Sequence, residues 1–135
     1  MGLKPRIEAP KGIYTFDIVS VDYFSQDEKA ALTLHTVIKG GGYNGTKARV
    51  LFRYNGDEDR DAKVNVKLDA LLRQIDLVVN IAFDSEESPE VVYVNFLKKS
   101  LPGKSFEAEA YTYRSARFGE EVVMNLIFVQ PVLKS

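Results

Sequence analysis

Rings and cations concentrate in two stretches of this chain, and their side chains are the ones best suited to bind a ligand. Residues Glu109–Glu121, "EAYTYRSARFGEE", hold Tyr111, Tyr113, Arg114, Arg117 and Phe118 beside a turn. A second stretch, between Tyr43 and Tyr54, carries Lys47, Arg49 and Arg53 and no acid. A positive groove flanked by rings suits single-stranded nucleic acid, whose backbone is charged and whose bases stack. We therefore predict that both stretches border one nucleic-acid-binding groove.

The same residues also have a purely structural interpretation. Tyrosine is a good strand former, and Tyr111 and Tyr113 could serve only as cross-strand partners. Arg114 could pair with Glu120 or Glu121 across the turn, a contact of little worth in water. Residue chemistry alone leaves both interpretations open.

Other reactive groups are scarce. The chain has no cysteine, which excludes a disulfide framework, a thiolate nucleophile and a cysteine-bound metal. Its one histidine, His35, lies between Leu34 and Thr36 on a predicted strand, and we interpret it as an ordinary strand residue. We predict no catalytic residue, no metal, no cofactor and no enzymatic activity.

Two loops resemble ligand-binding motifs but lack residues that those motifs require. The stretch "DEDRDAKVNVKL" has Ala62 where an EF-hand needs glycine and Leu68 where it needs glutamate. It is interpreted as a solvated acidic loop. The stretch "GGGYNGTK" lacks the Gly-Lys-Ser/Thr ending of a phosphate loop and joins two strands. It predicts a hairpin loop with Tyr43 exposed at its tip.

Composition limits the remaining possibilities. A chain of 135 residues with 45% hydrophobic residues fits one globular domain. A net charge of −1 gives no global argument for nucleic acid, so any such argument must rest on local patches. No apolar stretch suits a signal peptide or a membrane span, which predicts a cytoplasmic protein that does not bind membranes.

Hydrophobic periodicity predicts the elements. Residues 1–11 are interpreted as an arm and 12–135 as the domain. Alternation predicts a strand from Gly12, a polar turn over 24–29, a second strand through Leu32 and Leu34, and a third over Lys47–Tyr54. The core is predicted to include three phenylalanines, Phe16, Phe52 and Phe106. A three- and four-residue period predicts an amphipathic helix over 65–79, capped by Asn65.

The last third is predicted to be a hairpin, with strands around 106–113 and 122–129 joined by the turn "RSARFG". The preceding stretch, "SPEVVYVNFLKKS", is ambiguous. Its Ser-Pro-Glu start favours a short helix over 89–99, whereas its valines favour a strand. We prefer the helix. The fold class is thus α+β and mainly β, a five-stranded OB-like barrel with its helix between the third and fourth strands. A two-sheet sandwich is the alternative.

The arrangement "GIYTFDI", "GGGYNGTKARVLFRY", an amphipathic helix, "LPGKSFEAEAYTYR" and "EEVVMNLIFVQPV" resembles a family of small bacteriophage proteins. The resemblance covers about Gly12 to Pro131. It implies an OB fold, binding of single-stranded DNA, and a role in replication or recombination. It also implies that Tyr43, Lys47, Arg49 and the Tyr111–Arg114 strand border the groove. The chain ends in "QPVLKS" without an acidic tail, which puts recruitment of partners through such a tail in doubt.

The functional expectation is a phage-encoded protein that binds single-stranded DNA with low sequence preference in the host cytoplasm. The expected partners are single-stranded DNA, replication or recombination proteins, and a second copy of the chain in a homodimer. Two alternatives use the same surface. One is a protein-interaction module that inhibits a host protein, and the other is a structural protein of the virion.

Overall fold

The computed structural model describes residues 6–27, 29–75, 89–114 and 122–129. In chain order these form β1 (Arg6–Gln26), β2 (Lys29–Lys39), β3 (Lys47–Tyr54), α1 (Glu58–Gln74), α2 (Pro89–Ser100), β4 (Ser105–Arg114) and β5 (Val122–Val129). The prediction of an α+β, mainly β chain is confirmed. The bounds of the third strand are as predicted.

The five strands form one sheet that closes on itself in the order β1-β2-β3-β5-β4. Neighbouring strands are antiparallel except β3 and β5, which run parallel. β1 is long enough to pair with β2 on one side and β4 on the other, and this double pairing closes the sheet. The described strands therefore do not form the two separate sheets of a sandwich.

Alternating side chains fill the interior of the closed sheet. Phe16 and Phe106 are fully buried neighbours in the β1–β4 ladder, and their rings stack with centroids 5.3 Å apart. Phe52 is also buried, so all three phenylalanines predicted for the core lie there. Leu71 of α1 and Leu97 of α2 complete the core from outside the sheet. Both helices therefore depend on the sheet for burial of their apolar sides.

Residues 6–11, predicted as part of an arm, are strand, since β1 begins at Arg6. Residues 1–5 of the predicted arm lie outside the described residues. The ladder of β1 with β4 shifts register between Ile7 and Ala9 and again between Ala9 and Gly12. Pro10 lies in the second shift, where a residue without an N–H group interrupts no ladder bond. These bulges break the strict alternation of apolar and polar residues, so the sequence pattern did not indicate a strand here.

The helix predicted to begin after Asn65 begins two turns earlier, at Glu58. Asp57 is its N-cap and accepts hydrogen bonds from the backbone N–H groups of Asp59 and Arg60. The acidic stretch is thus the first turn of α1, where carboxylates favour the positive end of the helix dipole. Asn65 instead accepts a hydrogen bond from the Tyr54 hydroxyl. Residues 76–79 lie outside the described residues.

The second helix is confirmed, and it ends at Ser100 before the "LPGK" turn. Gly103 in that turn has a φ of 90°, which suits glycine, and its N–H donates to the Ile18 carbonyl. The turn thereby fixes α2 and the start of β4 against β1. In the parts of the chain that the structure describes, no helix is long and apolar enough to span a bilayer.

The hairpins differ in how well the sequence predicted them. The predicted turn over 24–29 is shorter, because β1 continues to Gln26 and β2 begins at Lys29. The glycine-rich loop between β2 and β3 is confirmed, with φ values of 84° at Gly40 and 90° at Gly45. In the last hairpin, 115–119 lie outside the described residues.

Candidate nucleic-acid interface

The β2–β3 hairpin builds the first half of the candidate site. Its register pairs His35 with Arg49 and Val37 with Lys47. Directly opposite residues in an antiparallel ladder lie on the same face of the sheet. His35 and Arg49 are both half-buried, so the two side chains lie together on the outer face.

The closing strand β5 connects this hairpin to the predicted aromatic pair. Arg49 pairs with Val123 of β5 in the parallel ladder, and Val123 pairs with Tyr113 of β4. Tyr113, Val123, Arg49 and His35 therefore form one row across four neighbouring strands. Neighbouring strands are about 4.8 Å apart, so roughly 10 Å separates the backbones at Arg49 and Tyr113. The small Val123 between them is 4% exposed.

The two predicted tyrosines form a pair on the outer face of β4. Their ring centroids lie 5.9 Å apart with the planes tilted by 40°. The Asn125 side-chain amide, on the neighbouring β5, donates a hydrogen bond of 2.6 Å to the Tyr111 hydroxyl. Both rings are half-buried, so each keeps part of its surface in solvent. The hydrogen bond fixes the orientation of the Tyr111 ring.

A groove beside the row that contains Arg49 and His35 is lined by cationic side chains from separate strands. Its volume is about 480 Å³. We call it the basic groove, and its lining comprises Val19, His35, Thr36, Val37, Lys47, Ala48, Arg49, Arg114 and Val122. Lys47 and Arg49 come from β3, whereas Arg114 comes from the end of β4. The fold thus brings together three of the predicted cationic residues.

Two carboxylates accompany these cations. The Nε atom of Arg114 donates to Oε1 of Glu8 over 2.9 Å, and Arg6 lies 3.6 Å from the same oxygen. The hydrogen bond from Arg114 is the main reason why the pKa of the Glu8 carboxyl is lowered from its usual value. Asp22 contacts the ring of His35, another lining residue, at 2.7 Å. The positive charge of the groove is therefore partly balanced by the protein itself.

The remaining predicted residues lie elsewhere. Arg53 is exposed on β3, four residues beyond Arg49 and outside the groove lining. Tyr43 lies in the glycine-rich loop, where its ring meets the Tyr14 ring edge-on with centroids 6.0 Å apart. It does not line the groove. Arg117 and Phe118 are outside the described residues.

Sequence reasoning missed His35 as a residue of this surface. The register of the hairpin could have indicated it, because a hairpin that pairs Val37 with Lys47 must also pair His35 with Arg49. It also missed Glu8, because the hydrophobic pattern of residues 1–11 does not indicate the strand that places Glu8 beside Arg114. Within the described ranges, no three histidine, cysteine, aspartate or glutamate side chains group as metal ligands.

Comparison with known proteins adds no family assignment. No protein-family model matches the chain, and a search of curated proteins finds no match either.

Proposed function

We propose that this chain is a single-stranded DNA-binding protein of low sequence preference, with its closed sheet forming an OB-type barrel. The observation that carries the proposal is the row in which Arg49 lies one strand away from Val123 and two strands away from Tyr113. A phosphate at Arg49 and a base on the Tyr113 ring are compatible with that spacing, because neighbouring phosphates along an extended strand lie several ångströms apart.

The chemistry of the surface supports single strands over duplex. Stacking needs unpaired bases whose faces are accessible, and the half-buried Tyr111 and Tyr113 rings offer a platform for them. Lys47, Arg49 and Arg114 supply charge for the phosphates. Neither kind of contact reads the edge of a base, so we expect low sequence preference.

The OB-type assignment is supported by the strand order. An OB fold is a five-stranded Greek-key barrel that binds nucleic acid on the face of its second and third strands. The order β1-β2-β3-β5-β4, with helices between β3 and β4, agrees with that plan. The resemblance to small bacteriophage proteins further suggests a phage-encoded protein of replication or recombination.

The test is a titration of a labelled oligothymidine, about 16 nucleotides long, followed by fluorescence anisotropy. Three neutralised phosphates give a salt slope of about −2, so affinity should fall roughly twentyfold between about 50 and 200 mM salt. A duplex of the same length is the control and should bind more weakly. Absence of oligothymidine binding at the lower salt concentration would refute the proposal and favour a protein partner.

A further inference from the structure

A second concave site lies at the other end of β2 and β3 from the basic groove. It opens between the β1–β2 turn, the end of β3 and both helices, and its volume is about 390 Å³. That volume is within the range of small-molecule sites. Its floor is apolar, formed by Leu32, Leu68, Val94 and Leu97, none more than 7% exposed.

Three tyrosines from three different elements form the wall of this site, which we call the tyrosine cavity. They are Tyr23 of β1, Tyr54 of β3 and Tyr93 of α2. Burial, followed by the neighbouring Tyr93, Asp61 and other acidic groups, raises the pKa of Tyr54 to about 12. Burial likewise raises the pKa of Tyr93, with a contribution from Asp69. Both phenols are therefore neutral at physiological pH.

The hydrogen bonds of the wall determine which ligand groups it accepts. The Tyr23 hydroxyl donates to Oε1 of Glu90, and the Tyr54 hydroxyl donates to Oδ1 of Asn65 over 2.9 Å. Because each hydroxyl has one proton, these two oxygens offer only lone pairs to a ligand. The Glu90 carboxylate is also an acceptor. At Tyr23, Tyr54 and Glu90 the wall therefore favours a ligand group that donates.

The charge of the lining agrees with that conclusion. Asp27 and Glu90 contribute two carboxylates, and Lys29 contributes one ammonium group, so the lining is negative overall. Aromatic rings add negative faces that attract cations, most strongly where water is partly excluded. The negative charge of the lining would repel an anionic ligand.

We propose that the tyrosine cavity binds a small organic cation, in which an ammonium or guanidinium group is attached to an apolar ring or chain. The apolar part lies on Leu32, Leu68 and Leu97. The cationic group donates to Glu90 and to the tyrosine oxygens. This site shares no lining residue with the basic groove, so the inference does not depend on DNA binding.

The probe is benzylammonium, with benzyl alcohol as its neutral counterpart of nearly equal shape. Each is titrated into the full chain while the tyrosine ring signals are followed by proton NMR. A ligand of this size should bind with a Kd of about 1 mM. We expect benzylammonium to bind at least about threefold more tightly than benzyl alcohol, the ratio that a modest charge contact supplies.

Two matched variants locate the site. Glu90→Gln keeps an acceptor for the Tyr23 hydroxyl and removes the charge, and it should weaken benzylammonium binding roughly threefold to fivefold. Glu107→Gln, an exposed carboxylate on β4 that does not line the cavity, should change nothing. Equal binding of the alcohol and the cation to the unmodified chain would overturn the proposal. So would the absence of binding, or a Glu90→Gln variant that remains folded and binds as before.

Discussion

Arg114 donates a hydrogen bond to Glu8 over 2.9 Å, although 106 residues separate them in the chain. The contact joins the end of β4 to the first residues of β1 at the rim of the basic groove. Glu8 therefore occupies a position beside Arg114 that a phosphate oxygen would need. In the proposed function, the carboxylate competes with DNA for the guanidinium group.

Removing that competitor should strengthen DNA binding. We expect Glu8→Gln to raise the affinity for oligothymidine, and the gain should shrink at high salt because screening weakens the repulsion that Glu8 exerts on phosphate. Anisotropy titrations at two salt concentrations measure both effects. Glu107→Gln removes an exposed charge from the same sheet and is the control. Weaker binding by Glu8→Gln would show that the carboxylate positions Arg114 for DNA instead.

Arg49 should govern the salt dependence of binding. Each phosphate neutralised on a single strand contributes about 0.7 to the slope of log K against log salt. We expect Arg49→Gln to flatten the slope by about that amount. Arg60→Gln, an exposed cation on α1 outside the groove lining, should leave it unchanged. Equal slopes for all three proteins would remove Arg49 from the DNA-binding site.

Tyr113 should contribute affinity with little salt dependence. Stacking of a base on an aromatic ring is worth roughly 1–3 kcal/mol, so Tyr113→Ala should weaken binding by about fivefold or more. Tyr113→Phe keeps the ring and should bind nearly as well as the unmodified chain. The measurement is the same titration, with circular dichroism to check the fold. Loss of the fold in Tyr113→Ala would identify the ring as structural.

Asp57 should stabilise α1 through its cap. Its carboxylate accepts from two backbone N–H groups that the helix leaves without internal partners. We expect Asp57→Ala to lower the free energy of unfolding by about 1 kcal/mol in urea denaturation. Asp59→Ala removes a neighbouring carboxylate that does not cap the helix and should cost less. An equal loss in both variants would indicate a general charge effect rather than capping.

Tyr54 should make the protein sensitive to strong alkali. Burial raises its pKa from the ordinary value of 10.0 to about 12, so the folded state favours the neutral phenol. Its contribution to the free energy of unfolding is therefore full below pH 10 and is lost as the pH rises towards about 12. Urea denaturation at several alkaline pH values should show a smaller decline for Tyr54→Phe than for the unmodified chain. The exposed Tyr43→Phe serves as the control, and equal declines would contradict the assignment.

Local patterns in the sequence determined much of the sheet. The alternation around Phe16, Phe52 and Phe106 identified core positions, because a strand directs successive side chains to opposite faces. The bounds of β3 followed from the same period and from the glycine-rich loop before it. Periodicity was less informative for α1. It detects only the buried side of a helix, so it does not indicate the solvated first two turns after Asp57.

Only the tertiary structure decided which strands meet. The parallel pairing of β3 with β5 places Arg49 in one row with Tyr113. The antiparallel pairing of β4 with β1 places Glu8 beside Arg114. Neither arrangement leaves a periodic trace in the chain, because each depends on how the sheet closes and not on neighbouring residues. The sequence could therefore name the rings and cations of the candidate site. Their arrangement, and the carboxylates that accompany them, required closure of the sheet.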